Sequence, residues 1–222
     1  MNLPRLAFYD FDGTLVSGNV VHQYLWYARR ERSLWRQIRL AILAPGLKLA
    51  DLYSREWFNR LFYREYRRFP EEWLRAEAAN LYTDYVRSRL YDGVEALLER
   101  NRREGFVNVL VTGSLDFAMG PVREHLGFVH LLANQIEFSH GRATGRLLPP
   151  ILAGEAKVRA MLELCRRYNV EPMDCRAYSD DSSDLPMLEA VGHPVATNPK
   201  PALRRVAAQR NWPILDLPRR PA

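Results

Sequence analysis

Leu6-Ala7-Phe8-Tyr9-Asp10-Phe11-Asp12-Gly13-Thr14-Leu15 is the stretch that decides the fold. Four residues with apolar or aromatic side chains run into two carboxylates set two apart, then Gly-Thr. A strand buried on both faces of a parallel sheet reads as such a run, and Gly13 marks its end. Asp10 and Asp12 are therefore expected at the carboxyl end of a central strand, where open α/β sheets place their ligands. Two acids that close repel each other unless a cation holds them or one takes a proton. Asp-Gly alone is a common turn dipeptide; the ten-residue pattern says more.

The rest of the chain sets the frame. Its 222 residues allow one large domain, or a core with an insertion. At 47% hydrophobic and 26% charged it has a globular composition. With 32 Lys+Arg against 26 Asp+Glu the net charge is +6, which suits anionic partners such as phosphate esters, acidic lipid surfaces or nucleic acid. Cys165 and Cys175 have no metal spacing and make no disulfide framework. The five histidines have no partners at ligand spacing and read as structural or surface residues. Met1 to Arg5 leave no room for a signal peptide, so a cytoplasmic location is expected. Ile38 to Leu47 is apolar but interrupted by Arg39 and Pro45-Gly46, well short of the ~20 residues of a spanning helix.

Beyond Leu15, Ser17-Gly18-Asn19 reads as a turn and N-cap. From about 19 to 89 the periodicity is helical with no strand pattern. It comprises a first helix through Val20, Tyr24 and Tyr27 and a basic amphipathic helix ended by Pro45-Gly46. An aromatic helix from Ser54 to about Arg67 follows, then one opening at Pro70 with Glu71 and Glu72 in its first turn. The tryptophans at 26, 35 and 57 are expected in this segment's own core. Then the rhythm changes to strand and helix in alternation. Strands are expected at 107–111, 129–133, 176–179, 194–196 and 213–215, with a hairpin at 135–148. Helices are expected at 93–103, 116–126, 154–168, 185–191 and 199–209. That alternation means a parallel sheet with helices on both faces.

Strand ends of one polarity share one edge of a parallel sheet, so Asp10/Asp12, Thr112-Gly113-Ser114, the loop before Lys157 and Asp180…Asp184 are expected to meet. The set has the parts of a phosphoryl transfer: a nucleophile, cations, donors to the phosphate oxygens and an acid for the leaving group. Asp10 can attack phosphorus. Thr112 and its neighbours can donate to phosphate oxygens beside the charge of Lys157. Asp10 and Asp180 can hold Mg²⁺ with a backbone carbonyl and water, and Asp184 can orient a ligand or water near it. Asp12 is left for proton transfer.

In this order Asp-Phe-Asp-Gly-Thr at 10–14, Val-Thr-Gly-Ser at 111–114, Lys157 and Asp180-x-x-x-Asp184 resemble the four motifs of the haloacid dehalogenase superfamily. Gly154-Glu155-Ala156-Lys157, and a helical segment between the first two motifs, are similar to the phosphoserine-phosphatase-like subfamily IB. The resemblance implies a Rossmann-like, doubly wound α/β core over 1–17 and 90–222, with an all-helical cap over 18–89 inserted after the first strand. It implies Asp10 as nucleophile forming an aspartyl-phosphate, Asp12 as acid/base, and Thr112 and Lys157 as phosphate binders. The implied Mg²⁺ is held by Asp10, the Asp12 carbonyl and Asp180.

Two positions depart from that pattern. Phosphoserine phosphatases carry a glutamate nine residues after the nucleophile, which helps bind the substrate's amino group; here that residue is Asn19. Ser183 stands where those enzymes often have asparagine. The expected activity is a Mg²⁺-dependent phosphomonoesterase with a phosphorylated small-molecule substrate, which Arg55, Arg60, Arg64 or Arg67 would help to recognise. The basic segment at 32–39 and the tryptophans suggest an alternative: a lipid-phosphate phosphatase in peripheral contact with a membrane. A phosphotransferase shares the first half-reaction. The rival class is a non-catalytic anion- or nucleic-acid-binding module, but the arginines are spread along the chain with no motif to focus them.

Overall fold

The computed structural model describes residues 5–220. Seven strands form one sheet in the order β4-β3-β2-β1-β5-β6-β7. They are β1 (Arg5–Tyr9), β2 (Phe106–Leu115), β3 (His130–Ser139), β4 (Arg142–Leu148), β5 (Arg176–Ser179), β6 (His193–Thr197) and β7 (Ile214–Leu215). All neighbours are parallel except β3 and β4. The chain winds outward from β1 through β2 and β3, then returns to lay β5 on the other side of β1. The order therefore reverses between β1 and β5, and ligands of doubly wound sheets bind in the crevice at that reversal.

Alternation along β1 explains why both faces are covered. Leu6 and Phe8 point into one cluster, with Val109, Val111, Met161, Leu203 and Ala207. Ala7 and Tyr9 point into the other, with Leu98, Leu110, Met119 and Val122. The first cluster packs α7 (Glu155–Tyr168), α8 (Leu185–Glu189) and α9 (Pro201–Gln209); the second packs α5 (Val94–Arg103) and α6 (Asp116–Leu126). Burying each large apolar side chain stabilises the sheet by about 1.5–3 kcal/mol, and β1 has four fully buried residues in a row. Cys165 and Cys175 are both buried and reduced.

Between β1 and β2 the chain is helical. It forms α1 (Val20–Arg30), α2 (Leu34–Tyr53), α3 (Arg55–Phe62) and α4 (Glu71–Leu81), with one irregular helical turn after α3 and two after α4. Tyr24, Tyr27, Phe62, Tyr66 and Phe69 stack edge-on in their midst, continuous with the sheet's second cluster.

Three expectations need correction. Pro45-Gly46 does not end α2, which runs on to Tyr53. Leu40 and Leu47 lie two turns apart on one face and both are buried; keeping both contacts outweighs the one backbone bond that an exposed proline removes. Thr112-Gly113-Ser114 lie inside β2, not beyond it, with a register break against β3 between Val111 and Leu115. The strand at 129–133 and the first arm of the hairpin are one strand, β3. Its first half pairs with β2 and its second with β4.

Candidate active site

The Asp10 amide donates to Tyr178 O at 2.9 Å, the last rung before β1 ends. Gly13 then turns the chain at φ +88°, where a Cβ would collide with the Asp180 carboxylate. Glycine is thus required twice, for the backbone angle and for the approach of Asp180. Thr14 follows and its hydroxyl lies 3.2 Å from Asp10 Oδ2 and 3.0 Å from Asp180 Oδ1, sharing one hydrogen between them. Lys157, in the first turn of α7, donates to Asp10 Oδ1 at 2.7 Å and to Asp184 at 2.9 Å. Ser179 donates to Asp184 at 2.9 Å.

Asp12 is held apart from this cluster. Ser114 donates to its Oδ2 at 2.8 Å and Gln23 of α1 to its Oδ1 at 3.0 Å, and Gln23 also donates to Ser114 Oγ at 3.1 Å. The three side chains form a closed triangle that fixes the carboxylate plane. Asp10 and Asp12 sit two apart in sequence, yet one carboxylate faces a lysine and the other two neutral donors.

A cavity of about 230 Å³ opens over these residues. Asp10, Asp12, Gly113, Lys157, Asp180, Ser183 and Asp184 line it from the sheet side, and Asn19, Asp51, Arg55 and Asn59 from the helical segment. Asn19 is engaged locally: its side chain accepts from Val21 N–H and His22 N–H as the N-cap of α1. Thr112 and Ser114 do not line the cavity. Thr112 Oγ1 accepts from the Ser114 amide at 3.0 Å, and Ser114 is turned to Asp12; continuation of β2 through this segment leaves Gly113 alone of the three facing the space. Of the arginines expected to read the substrate, Arg55 lines the cavity. Arg60 pairs with Glu56 on the surface, and Arg64 and Arg67 line a separate depression with Arg36 and Arg39.

Burial dominates the electrostatics. It pushes the Asp10 carboxyl up to about 7, with Asp184 and Asp180 adding to the rise and Lys157 opposing it. It pushes Asp12 up to about 6 against the Ser114 hydrogen bond. Asp180 is raised for the same reason, against Lys200. Burial would lower the Lys157 ammonium, but Asp10 and Asp184 together raise it, so the lysine stays charged. Six carboxylates (Asp10, Asp12, Asp51, Asp180, Asp181, Asp184) and three cations (Arg55, Lys157, Lys200) line the cavity. A phosphate ester entering that excess of negative charge needs a further cation.

The donor set fits a hard divalent ion. Asp10 and Asp180 both reach the same Thr14 hydroxyl, so one small ion can contact both. Among the described residues no three acidic, histidine or cysteine side chains form a ligating cluster. An ion here would complete its shell with a backbone carbonyl and water, as Mg²⁺ does. Asp184, expected near the metal, accepts from Lys157 and Ser179; the Asp12 side chain, expected to be left for proton transfer, accepts from Gln23 and Ser114.

The site also uses residues that the sequence reading did not single out. Thr14, a motif residue, bridges Asp10 and Asp180. Lys200, from the Asn-Pro-Lys-Pro turn before α9, lies 3.2 Å from Asp180 and 2.5 Å from Asp181. Asn134 of β3 donates to Gly113 O at 2.7 Å and accepts from Leu152 N–H at 2.8 Å, and Tyr63 donates to Gly113 O at 2.7 Å. Together they pin the strand end. Asn59 is 2% exposed and its Nδ2 has no acceptor among the described residues. The signal for Gln23 was its position, four residues after the Asn19 N-cap and one turn into α1. None of the others carried a local signal.

This fold and this set of strand-end acids place the chain in a known class. A family model for haloacid dehalogenase-like hydrolases matches residues 7–189, and the chain belongs to that family. It is 32% identical over 225 residues to phosphoserine phosphatase SerB1 of Mycobacterium tuberculosis, covering 97% of this chain and 72% of that protein. It is 31% identical to the inhibition of morphological differentiation protein of Streptomyces azureus, covering 98% and 80%. Among solved structures, a protein of unknown function from Bordetella pertussis Tohama I superposes with a TM-score of 0.85 at 25% identity, covering 97% of this chain and 99% of that one. An apo phosphoserine phosphatase superposes with a TM-score of 0.71 at 20% identity, covering 96% and 93%; that likeness is one of fold.

Proposed function

We propose that the protein is a phosphatase, a Mg²⁺-dependent phosphomonoesterase that works through an aspartyl-phosphate on Asp10. The observation that carries this reading is the Asp10 carboxylate at the floor of a small cavity. Lys157 holds one of its oxygens at 2.7 Å and Thr14 reaches the other at 3.2 Å. The helices between 18 and 89 act as the cap over it.

Asp10 attacks phosphorus and the ester oxygen leaves. Asp12, oriented by Ser114 and Gln23, gives that oxygen its proton and then takes one from the water that hydrolyses the acyl-phosphate. Lys157, the Gly113 backbone and the free Asn59 amide face the phosphoryl oxygens. Asp10, Asp180 and the Asp12 carbonyl would hold Mg²⁺, which when bound supplies positive charge against the phosphate. Thr14 and Lys200 keep Asp180 in place for it.

The cavity's size favours a small ester. At its lip Arg55 and Asp51 stand 2.9 Å apart, a pair suited to a substrate with a charged tail. Several relatives are named phosphoserine phosphatases, but Asn19 carries no charge for an ammonium and its side chain is spent capping α1. A phosphate-release screen with Mg²⁺ over amino-acid, sugar, nucleotide, amino-alcohol and lipid phosphates tests the reading. Release from one class, lost on chelation, supports it. Silence across all of them, from folded protein, removes it.

A further inference from the structure

Helix α2 has two apolar faces. Leu40 and Leu47 point inward and are 4% and 8% exposed. On the other side Leu34, Ile38, Ile42, Leu49 and Leu52 stand in water, each more than half exposed. At 3.6 residues per turn these five fall within roughly a quarter of the helix circumference. A surface helix ordinarily turns charge to that side. A continuous apolar stripe there marks a docking surface.

We propose that this stripe seats the protein on the surface of an anionic membrane. Charge supports that partner: from Arg32 to Ala50 the chain carries Arg32, Arg36, Arg39 and Lys48 and no acid. Arg36 is spent inside, its guanidinium 3.7 Å over Phe69. Arg32 and Lys48 are exposed and have no partner among the described residues, and Arg39 keeps 48% exposure beside Glu65. Aromatics flank the stripe, with Trp35 and Tyr53 on its edge and Trp57 on the next helix, all exposed; such rings prefer the headgroup layer.

A second copy of the chain fits less well. A two-fold contact through this face would set the same basic residues of the two copies near each other. Among the described residues no helix is long and apolar enough to cross a membrane, so the helix lies on the bilayer. Asp51 and Arg55 line the catalytic cavity, and Leu52 and Tyr53 follow Asp51 directly. At 3.6 residues per turn Asp51 lies on the side of α2 that carries Leu40 and Leu47, so docking sets the cavity behind the helix, one helix diameter (~10 Å) from the bilayer. The inference concerns where the protein sits and is independent of which ester it cleaves.

The test is co-sedimentation of the full chain with vesicles of phosphatidylcholine, alone or with about one-third phosphatidylglycerol. Binding to the anionic vesicles at low salt is expected, with release by added salt and a blue shift of tryptophan emission. The Ile38→Ser/Ile42→Ser/Leu49→Ser variant should lose partitioning by about tenfold or more, with unchanged circular dichroism and unchanged phosphate release from a soluble ester. Arg32→Glu/Lys48→Glu should lose the preference for the anionic lipid. No sedimentation at low salt with unshifted emission overturns the proposal, as does equal binding by the triple variant. A wild-type dimer in light scattering that the triple variant disperses, without vesicle binding, would instead make the face a self-contact.

Discussion

At the carboxyl edge of the sheet charge is buried, whereas on the outer face of α2 apolar surface is exposed. Asp10, Lys157, Asp180 and Asp184 are each less than a tenth exposed, while Leu52 and Tyr53 are about four-fifths exposed. Both regions invert the usual partition of residue types. At the sheet edge the inversion is compensated within the chain, because Asp10 and Asp184 share Lys157 and Asp180 has Thr14 and Lys200. On α2 nothing among the described residues compensates. The contrast separates a site built to hold charge for chemistry from a surface that awaits a partner.

The largest effect should come from removing the reacting group. Asp10→Asn keeps the shape and the contact with Lys157 but removes the nucleophile. Turnover should fall by at least about 10³-fold, with a near-native thermal transition because the loss of one ion pair is offset by less repulsion from Asp180 and Asp184. Steady-state phosphate release and calorimetry read the two halves. Full activity in the variant would sink the covalent mechanism.

Lys157→Met tests whether burial or pairing dominates at the edge. It leaves Asp10 and Asp184 without their shared cation, and breaking a buried pair costs about 3–5 kcal/mol. Urea unfolding should show a loss of that order along with loss of activity. A cost below about 1 kcal/mol would mean that the carboxylates are effectively solvated or protonated in the resting protein.

Gln23→Ala loosens the triangle around Asp12 without touching Asp10. Ester cleavage should slow by about ten- to fiftyfold in kcat with little change in KM. The slowing should be greater for alkyl esters than for p-nitrophenyl phosphate, whose leaving group needs no proton. Equal slowing for both would assign Gln23 to packing.

How far the sequence carried differs between the two regions for a physical reason. Asp10, Asp12, Lys157, Asp180 and Asp184 were legible because parallel strands must deliver their ends to one edge, so order along the chain predicts proximity. Thr112 and Ser114 were placed one step wrong, since nothing in Val111-Thr112-Gly113-Ser114 signals that Asn134 and Tyr63 will hold the strand extended past Thr112. Asn59 and Lys200 were silent because their roles come from tertiary approach alone. The helical segment was legible as helices but not in its details. Pro45 looked like a stop, and Trp35 and Trp57 looked like core when only Trp26 packs inward. Periodicity marks an apolar face, but it does not say whether that face meets protein.

The two faces of α2 give the smallest and most direct comparison. Leu47→Ala removes a side chain that is 8% exposed and packs against the aromatic core; it should destabilise the fold by about 2 kcal/mol, the low end for buried leucines, because the site lies near the surface and can collapse. Ile42→Ser removes one that is 69% exposed, and should shift stability by no more than about 0.5 kcal/mol. The residues are five apart in one helix and differ mainly in which way they point. Paired urea titrations of the two variants measure that difference. If Ile42→Ser costs as much as Leu47→Ala, the outer stripe is already covered in the isolated protein and the contrast with the sheet edge fails.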